Sequence, residues 1–465
     1  MESPLQSSRL RRILAAYTVN RLGTWFGLLA LMVAVFEHTH SAIAVAALLL
    51  AGQALPAFVV PVVVARVEAS ARRSELSGLY FFEALVTALL ALLLWHFWLP
   101  AVLLLAALDG TAALTASALL RAAVARIARD QVEAQPQNAN RPQGEVEADA
   151  QEAERSANAA LNVAFSVTFV LGPAIAGVVV AAAGSPAALF IDVGSFLICG
   201  GLLIDLHPHV EEAEGASVRA RLRAAWRHIN EAPSLRGLLL ADAVALVFLD
   251  SAGPIEVSYA KTTLVVGDRG LGLLMASWGA GAVLGSLLFA RSLSRQLGLM
   301  LSAGVLAIGA AYMGLAAAPS LAIACVAAIF GGVGNGVEIP SLISFAQRLT
   351  PRRLHGQMMG ALESLDALCL AIGLPLGGTL VALSDPRLAF LLVGVGATVA
   401  SIALFRISRR EPKAIVRDER PAVLLSPPST LGELLPDRLL DLDLQRAGDG
   451  GALAGDPAQD APPAP

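Results

Sequence analysis

Apolar runs recur along most of this chain, and each is about 20 residues long, enough to cross a hydrocarbon core of about 30 Å as a helix. Both faces of each run are apolar, whereas a barrel strand alternates over about 10 residues. Backbone groups in lipid must bond to one another, so the runs predict an all-α membrane protein. We place twelve transmembrane spans, roughly at 13–36, 42–65, 76–95, 98–121, 157–183, 187–206, 236–260, 270–290, 297–317, 320–345, 358–383 and 387–406.

The arginines alternate between the two ends of these spans. Arginine clusters precede the first span and follow the second, fourth, sixth, eighth and tenth, while the loops between them carry only Lys261, Arg269 and Arg387. Basic loops stay on the cytoplasmic side. We therefore expect a multi-pass protein of the cell inner (plasma) membrane with both termini in the cytoplasm.

The spans and the polar stretches between them define the expected organisation of the chain. Residues 130–155 are polar and lack apolar periodicity, so they are expected to form an unfolded cytoplasmic loop, and the Pro- and Asp-rich tail is expected to be disordered. The expected parts are a cytoplasmic N-terminus (1–12), a first six-helix bundle (13–206), a cytoplasmic linker (207–235), a second six-helix bundle (236–406) and a cytoplasmic tail (407–465).

One hairpin of apolar helices occurs twice. The stretch from 157 to 196 returns about two hundred residues later, with Gly177 matching Gly377 and Pro186 matching Pro386 at one constant offset. Such a repeat is typical of membrane proteins built from two related halves. It predicts two pseudo-symmetric bundles.

Several local motifs resemble those of one transporter family. They are Arg21-Leu22-Gly23-Thr24-Trp25, Leu171-Gly172-Pro173, Leu189-Phe190-Ile191-Asp192, Gly331-Gly332-Val333-Gly334-Asn335 and Leu349-Thr350-Pro351. With twelve spans in two halves, the chain resembles the major facilitator superfamily, and in particular its enterobactin-exporter-like and macrolide-efflux-like branch.

The resemblance implies secondary active export of small molecules, driven by proton entry through alternating access. Spans one, four, seven and ten would line a central cavity, and spans two, five, eight and eleven would join the halves. We expect the halves to rock about contacts between spans five and eleven and between spans two and eight.

The chain departs from the family pattern at its gate. The loop after span two keeps Arg72 and Arg73 but lacks the usual aspartate, and Thr24 stands where relatives often have an acidic residue. Glu363 and Asp366 lie three residues apart, on one face of span eleven. We expect them to pair with Arg72 or Arg73 and to hold the inner gate shut.

Three acidic residues fall deep in spans that would line the cavity: Asp109, Asp250 and Glu338. An ionisable group at such depth costs about 2.5–3.5 kcal/mol on insertion scales, so it is expected to face a partner or water. We expect the three to bind protons and substrate in turn. A structural hydrogen bond between helices is the alternative for each.

Other polar residues in the spans allow two interpretations each. Arg21 is expected to meet Asp109 or Glu338, to bind an anionic substrate group, or to reach the inner surface. Asn20 and Asn335 would bind substrate or join helices.

Trp25 would form an aromatic wall of the cavity or pack in the core. Glu83 and Asp192 lie on peripheral spans and are expected to be structural anchors, and Asp242 and Glu256 to be solvated.

Glycine and proline residues mark the contact between the halves. Gly172 and Pro173 are expected to kink span five, and Gly177 and Gly377 to allow close helix approach. By the resemblance, a Gly-Pro pair in this span accompanies exporters, although Ala176 replaces the second glycine of that signature. A simple packing kink is the alternative.

The sequence contains no signature of an enzyme. There is no phosphate-binding G-x-x-x-x-G-K-S/T, nucleophile elbow or zinc motif, so we expect no catalysis, cofactor or metal. A net charge of -4 gives no reason to expect a nucleic-acid partner. The expected partners are the lipid bilayer, a small-molecule substrate and protons, with the chain as a monomer.

The substrate stays open at this stage. An apolar cavity with few charges would favour amphipathic or weakly charged molecules, which include siderophores, macrolides and lipid-like compounds. An importer or facilitative carrier on the same fold, and a transporter-like membrane sensor or scaffold, remain alternatives.

Overall fold

The computed structural model describes residues 8–60, 63, 75–133, 135, 141–204, 226–292, 296–351 and 354–409. Within those ranges it holds helices and no strand. It has 12 helices long and apolar enough to cross a membrane, which confirms the predicted fold class. We label them α1 to α12 in chain order: Arg9–Thr39, Ala42–Val60, Leu76–His96, Leu99–Glu133, Gln143–Ala183, Ser185–Leu202, Pro233–Thr263, Gly267–Arg291, Leu297–Ala317, Leu321–Arg348, Gln357–Leu383 and Pro386–Ser408.

Large apolar side chains cover the outside of the bundle. Leu85 on α3, Leu104 on α4 and Leu240 on α7 are 58%, 63% and 62% exposed. Soluble monomers rarely expose broad apolar surfaces, whereas a bilayer removes such surfaces from water. The chain is therefore a multi-pass membrane protein.

The two halves repeat one packing pattern. In the first half, α1 packs against α5 and α6, α2 against α4, and α3 against α4 and α6. The second half repeats these pairs six helices later: α7 packs against α11 and α12, α8 against α10, and α9 against α10 and α12. The repeated hairpin therefore belongs to a repeated bundle.

Glycines let α5 and α8 cross closely between the halves. A Cβ atom added to Gly177 of α5 would lie 2.6 Å from the Asp268 carbonyl oxygen and 3.0 Å from the Gly272 Cα of α8. The other contact joins α2 to α11, where a Cβ on Gly378 would lie 2.9 Å from the Ala46 Cβ. The helices predicted to join the halves do so, but the predicted pairs are wrong: α5 meets α8, and α2 meets α11.

At one end of the bundle a single apolar cluster contains residues of both halves, whereas at the other end each half has its own cluster. We call the end that holds Arg9 and Ser408 the terminal face. Near it, one cluster contains residues of the first half such as Leu120, and a second contains residues of the second half such as Leu301. Toward the opposite face a single cluster includes both Val33 and Tyr259. The described bundle is thus closed at the opposite face.

An ion pair reinforces that closure. The Lys261 ammonium of α7 lies 2.7 Å from Glu37 Oε1 of α1 and also contacts Asp268 of α8. Its side chain is only 15% exposed, so the pair is partly shielded from solvent. An inter-half salt bridge therefore lies at the closed end.

The stretch 130–155 is helical over most of its length, which corrects the predicted unfolded loop. Helix α4 continues to Glu133 and α5 begins at Gln143. Arg129 Nη2 lies 2.8 Å from Glu147 Oε2 across this hairpin. The charges that interrupt apolar periodicity thus pair between two adjacent helical extensions.

Several predicted regions lie outside the described residues. These include Arg72 and Arg73, residues 205–225 of the expected linker, and the tail from 410 onward. The last part of the expected linker is described, and there Ile229 is buried in a cluster with Leu235 of α7.

Candidate functional site

A cavity of about 310 Å³ lies between the two halves. The first half contributes Trp25 of α1 and Phe169 of α5, and helices α7 to α11 contribute the rest. The complete set of lining residues is Trp25, Phe169, Leu246, Leu249, Asp250, Ala252, Glu256, Met275, Trp278, Tyr312, Asn335, Glu338, Ile339 and Asp366. Four of these residues are acidic and four are aromatic, and none of them is basic.

A break in α7 places Asp250 at the cavity. The first α-helical segment of α7 ends at Asp250, and a second begins at Ala252. Pro254 has no N–H to donate to the Asp250 carbonyl four residues earlier, so the series of backbone hydrogen bonds of the helix is interrupted at this point. Asp250 thus lies at the end of a helical segment, as do ion sites in broken transporter helices.

Glycines of α11 fit against this break. A Cβ on Gly373 would lie 2.6 Å from the Val247 carbonyl oxygen and 2.7 Å from the Asp250 Cβ. Gly377, one turn later, packs directly on the Ser251 carbonyl. The predicted close approach at Gly377 is therefore made to α7 of the same half, and it fixes the backbone that carries Asp250.

Helix α10 carries Glu338 and Asn335 one turn apart, and both side chains line the cavity. Glu338 is buried, and its Oε2 has no hydrogen-bond partner among the described residues. Small residues allow this depth, because a Cβ on Gly304 of α9 would lie 3.0 Å from the Glu338 Cβ.

The carboxyl groups of the second half lie near one another. Asp242, Asp250 and Asp366 are all within electrostatic reach of Glu338. None of the four forms an ion pair with a basic residue in the part of the chain that the structure describes. Like charges at such a site repel unless a proton or another cation is bound. The site is therefore suited to cations.

Aromatic rings form the walls beside these carboxyls. On one side the ring centroids of Trp25 and Phe169 lie 5.4 Å apart. On the other side Trp278 stacks on Tyr312 with a centroid distance of 5.5 Å. The Tyr312 hydroxyl donates to the Leu249 carbonyl at 3.2 Å. Ring faces attract cations, most strongly where water is excluded.

Two glycines provide the space for the indole rings. Gly172 of α5 lies directly against the Trp25 ring, and Gly331 of α10 lies against Trp278. Any side chain at either position would occupy the volume of the ring. Helix α5 continues through Pro173 from Gln143 to Ala183. Gly172 contacts Trp25, and the kink expected at Gly172 and Pro173 stays a prediction.

The structure brings four of the predicted binding residues together and leaves three outside. Asp250, Glu338, Asn335 and Trp25 line the cavity. The excluded residues are Asp109, Asn20 and Arg21, which are not among those that line it.

Asp109 lies at the contact between α3 and α4, where Thr87 Oγ1 donates to its Oδ1 at 3.0 Å. Arg21 meets neither Asp109 nor Glu338 in an ion pair; instead its guanidinium carbon lies 5.0 Å from the centre of the Phe165 ring. The Asn20 carbonyl accepts a hydrogen bond from Thr24 within α1. The pairings predicted for Arg21 are therefore not formed in the described part of the structure.

Asp366 has a different position from the one expected of a gate residue. Both Asp366 and Glu363 are exposed, but Asp366 lines the cavity and Glu363 is not among the lining residues. Their expected partners, Arg72 and Arg73, are outside the described residues, so the pairing stays a prediction.

Sequence reasoning missed several residues in and near the cavity. Glu256 was expected to be solvated, but the break in α7 turns it into the cavity. Asp242, also expected to be solvated, is fully buried. Trp278 and Tyr312 lie opposite the glycine-rich stretch of α10, and that coincidence of rings and glycines is the pattern that would have indicated them.

Sequence comparison supports the major facilitator superfamily. The model of the Major Facilitator Superfamily matches residues 238–444. The multidrug efflux pump Tap of Mycolicibacterium fortuitum is 27% identical over 51% of this chain and 60% of its own length. The uncharacterized MFS-type transporter YfiS of Bacillus subtilis (strain 168) is 27% identical over 48% of this chain and 57% of its own length. The chain thus spans less than two thirds of these relatives.

Solved structures of transporters share the fold. The nucleoside transporter NupG matches with a TM-score of 0.67 at 12% identity, covering 87% of this chain and 100% of that chain. A bacterial homolog of the human lysosomal transporter Spinster matches with a TM-score of 0.60 at 13% identity, covering 88% and 98%. At these identities the likeness shows the fold alone.

Proposed function

We propose that this chain, which has the major facilitator fold, is a secondary active transporter that exports small organic molecules in exchange for protons. The observation that carries the proposal is the acidic, aromatic cavity between two related halves, one end of which is closed. The family resemblance and the matched relatives agree with a transporter rather than an enzyme. The enterobactin-exporter-like and macrolide-efflux-like branch is our proposal from the motifs alone.

The contacts between the halves support the proposal of alternating access. Glycines let the helix backbones lie close together where α5 crosses α8 and where α2 meets α11. We call Lys261, Glu37 and Asp268 the Lys261 cluster. Separation of this cluster at the opposite face, together with closure of the two halves at the terminal face, would expose the cavity to the other side. With the terminal face cytoplasmic, as the arginines predict, the described state opens inward.

Protons and substrate are proposed to compete for the cavity carboxyls. Ionised Asp250 and Glu338 would attract a cationic molecule that enters from the terminal face. After the halves rock, protons from the other side neutralise the carboxyls and release it. Asn335, which lines the cavity one turn from Glu338, is proposed to offer its amide to the substrate.

The lining favours a particular chemical class of substrate. Four carboxyl groups with no basic residue repel anions, and the paired rings of Trp25 with Phe169 and Trp278 with Tyr312 offer flat apolar contact. The volume of about 310 Å³ suits a small molecule. We therefore propose organic cations with aromatic groups, in place of the weakly charged molecules that an apolar cavity would favour.

Export rather than import is proposed from two observations. The Gly172-Pro173 pair resembles that of exporters, and the relative from Mycolicibacterium fortuitum carries the name of an efflux pump. An importer or facilitative carrier uses the same cavity, so transport direction is the discriminating measurement. A sensor or scaffold would require the polar hairpin or the tail and would tolerate loss of the cavity carboxyls.

The test is ethidium uptake into proteoliposomes with an acidic lumen and a clamped membrane potential. The wild type is expected to accumulate ethidium, and Asp250→Asn to reduce the initial rate at least tenfold. Glu152→Gln is the matched control, because Glu152 is an exposed carboxylate of the hairpin, paired with Arg155 away from the cavity. Full uptake by Asp250→Asn removes that residue from the mechanism, and uptake that ignores the proton gradient contradicts exchange.

A further inference from the structure

Three more carboxyl groups lie inside the first half, away from the cavity. They are Glu83 of α3, Asp109 of α4 and Asp192 of α6, and we call them the first-half trio. Glu83 is fully buried and Asp192 is 4% exposed. Glu83 is within electrostatic reach of both Asp109 and Asp192. None of the three is among the residues that line the cavity.

The trio lacks the partners that ionised carboxylates require. Asp109 accepts one hydrogen bond from Thr87, and Asp192 accepts one from Ser195 at 3.1 Å. Both oxygens of Glu83 have no hydrogen-bond partner among the described residues. A buried, unpartnered anion is costly, and two carboxylate neighbours increase the cost.

The groups that surround the trio do not neutralise it. Tyr80 of α3 and Cys199 of α6 lie within electrostatic reach of Glu83, and neither a phenol nor a thiol can carry a positive charge. Arg21 of α1 lies near Tyr80, but its guanidinium is over the Phe165 ring, and no described basic residue forms an ion pair with the trio. Across the described residues, no group of three acidic, His or Cys side chains is arranged to hold a metal ion. A proton is therefore the cation that fits the trio.

Helix α1 lies between the trio and the cavity. Gly23 and Gly27, one turn apart on one face of α1, pack directly against the Asp192 carboxyl oxygens. Trp25, halfway between them, points to the opposite face of α1 and lines the cavity. One helix thus contacts a carboxyl of the trio on one side and forms the cavity wall on the other.

We propose that Glu83, Asp109 and Asp192 form a proton-binding site separate from the substrate cavity, and that α1 transmits its occupancy to the cavity through Gly27 and Trp25. This role replaces the structural anchoring expected for Glu83 and Asp192. When a proton leaves the trio, the carboxylates repel one another. They then need water or a hydrogen-bond donor, and the close contact between α1 and α6 offers neither. Separation of α6 from α1 relieves this conflict and moves Trp25. As part of a transport cycle, the device rests on the proposed function.

The first experiment needs no substrate. Tryptophan emission of the purified protein in lipid nanodiscs is followed as a function of pH, and the share of Trp25 is identified with Trp25→Phe. The wild type is expected to show a Trp25 transition that Glu83→Gln and Asp192→Asn abolish. Glu152→Gln, which changes an exposed carboxyl, is expected to keep it. A Trp25 transition that persists in both trio variants overturns the proposal, as does a wild type with no transition.

Two further measurements test whether the Trp25 transition comes from protonation of the trio. Asp109→Asn preserves size and can still accept from Thr87, so it serves if the buried variants fail to fold, and it is expected to lose the transition as well. Replacing sodium with N-methylglucamine at fixed pH is expected to change nothing. A sodium-dependent Trp25 signal would assign the trio to a metal cation instead of a proton.

Transport separates this inference from the proposed function. In proteoliposomes, the affinity of Asp192→Asn for ethidium is expected to stay within about threefold of the wild-type value. Its rate of proton-driven ethidium transport is expected to be at least tenfold lower. If no variant and no wild type transports, the proposed function fails while the emission titration still decides the trio. If Asp192→Asn keeps both rate and titration, the trio fails while the transporter stands.

Discussion

At the scale of single residues, the glycines that face aromatic rings decide the shape of the cavity. Gly172→Ala is expected to push the Trp25 ring out of place, because the new methyl group would occupy the volume of the ring. Overpacking of this kind costs about 1–3 kcal/mol. The melting temperature in nanodiscs should fall, together with the affinity for tetraphenylphosphonium.

Gly194→Ala is the control for this substitution. Gly194 lies on α6, and nothing stands within 4 Å of the position that its Cβ would take. Its melting temperature should equal that of the wild type or exceed it, since alanine favours the helix. Equal behaviour of the two alanine variants would mean that Trp25 is not held by Gly172.

Single residues also show how far the sequence could predict the site. Asp250 and Glu338 were predicted because an ionisable residue within an apolar span is costly and is therefore expected to face a partner or water. Asp109 obeys the same rule, yet it faces α3. The spans are apolar on all sides, so their periodicity carries no information about which face meets the cavity. Glu256 was missed because its direction depends on the break at Pro254.

At the scale of helices, the Lys261 cluster is expected to hold the opposite face shut. Lys261→Met removes the cation that joins Glu37 to Asp268, leaving two acidic groups to repel each other. The variant is expected to populate the state open to the opposite face. The measurement is labelling of Met275→Cys, introduced at a cavity residue after the three native cysteines are replaced, with a membrane-impermeant thiol reagent applied from that face.

Arg129→Gln is the matched control for Lys261→Met. It breaks an ion pair with Glu147 of similar length, but in the hairpin at the terminal face. Labelling is expected to rise at least fivefold with Lys261→Met and to stay at the wild-type level with Arg129→Gln. A Lys261→Met protein that labels no faster would show that the apolar cluster alone closes this face.

The inner gate is a second prediction about helices. Charge reversal at Arg73 is expected to impair transport, because Glu363 or Asp366 would then face a like charge when the terminal face closes. The reciprocal change, Glu363→Arg, should restore ethidium uptake. If the double variant is no better than Arg73→Glu, Glu363 is not the partner.

Helix contacts explain which parts of the fold the sequence could supply. Twelve spans and a repeat follow from hydropathy and from matched glycines, and the structure agrees. The crossing of α5 with α8 was not predicted, because the repeat relates α5 to α11 without saying which helices touch. The hairpin around 130–155 was missed because the residues it buries are small, such as Ala150 and Ala153, and give no strong apolar period. Its ion pair, Arg129 with Glu147, joins two separate helices, which a periodicity within one helix does not indicate.

At the scale of the whole molecule, two sets of carboxyls are distributed over two related halves. The second half holds Asp250 and Glu338 at the cavity, and the first half holds the trio around Glu83. Separate sites for substrate and proton, joined by α1, allow coupling without direct displacement. Competition at the cavity carboxyls would couple protons to substrate directly. The two kinds of coupling are distinguished by which variants abolish the proton dependence of transport, those of the trio or those of the cavity carboxyls.

The central claim is that ionised cavity carboxyls attract a cationic molecule and that protons displace it. The most direct measurement is the equilibrium affinity of the purified protein for tetraphenylphosphonium as a function of pH, with uncharged triphenylphosphine oxide for comparison. Linkage requires affinity to weaken as pH falls, by up to about tenfold per pH unit for each proton displaced.

Asp250→Asn and Glu338→Gln should flatten this dependence, and the uncharged compound should bind weakly at every pH. An affinity for tetraphenylphosphonium that does not change with pH, or that equals the affinity for the uncharged compound, would contradict the account.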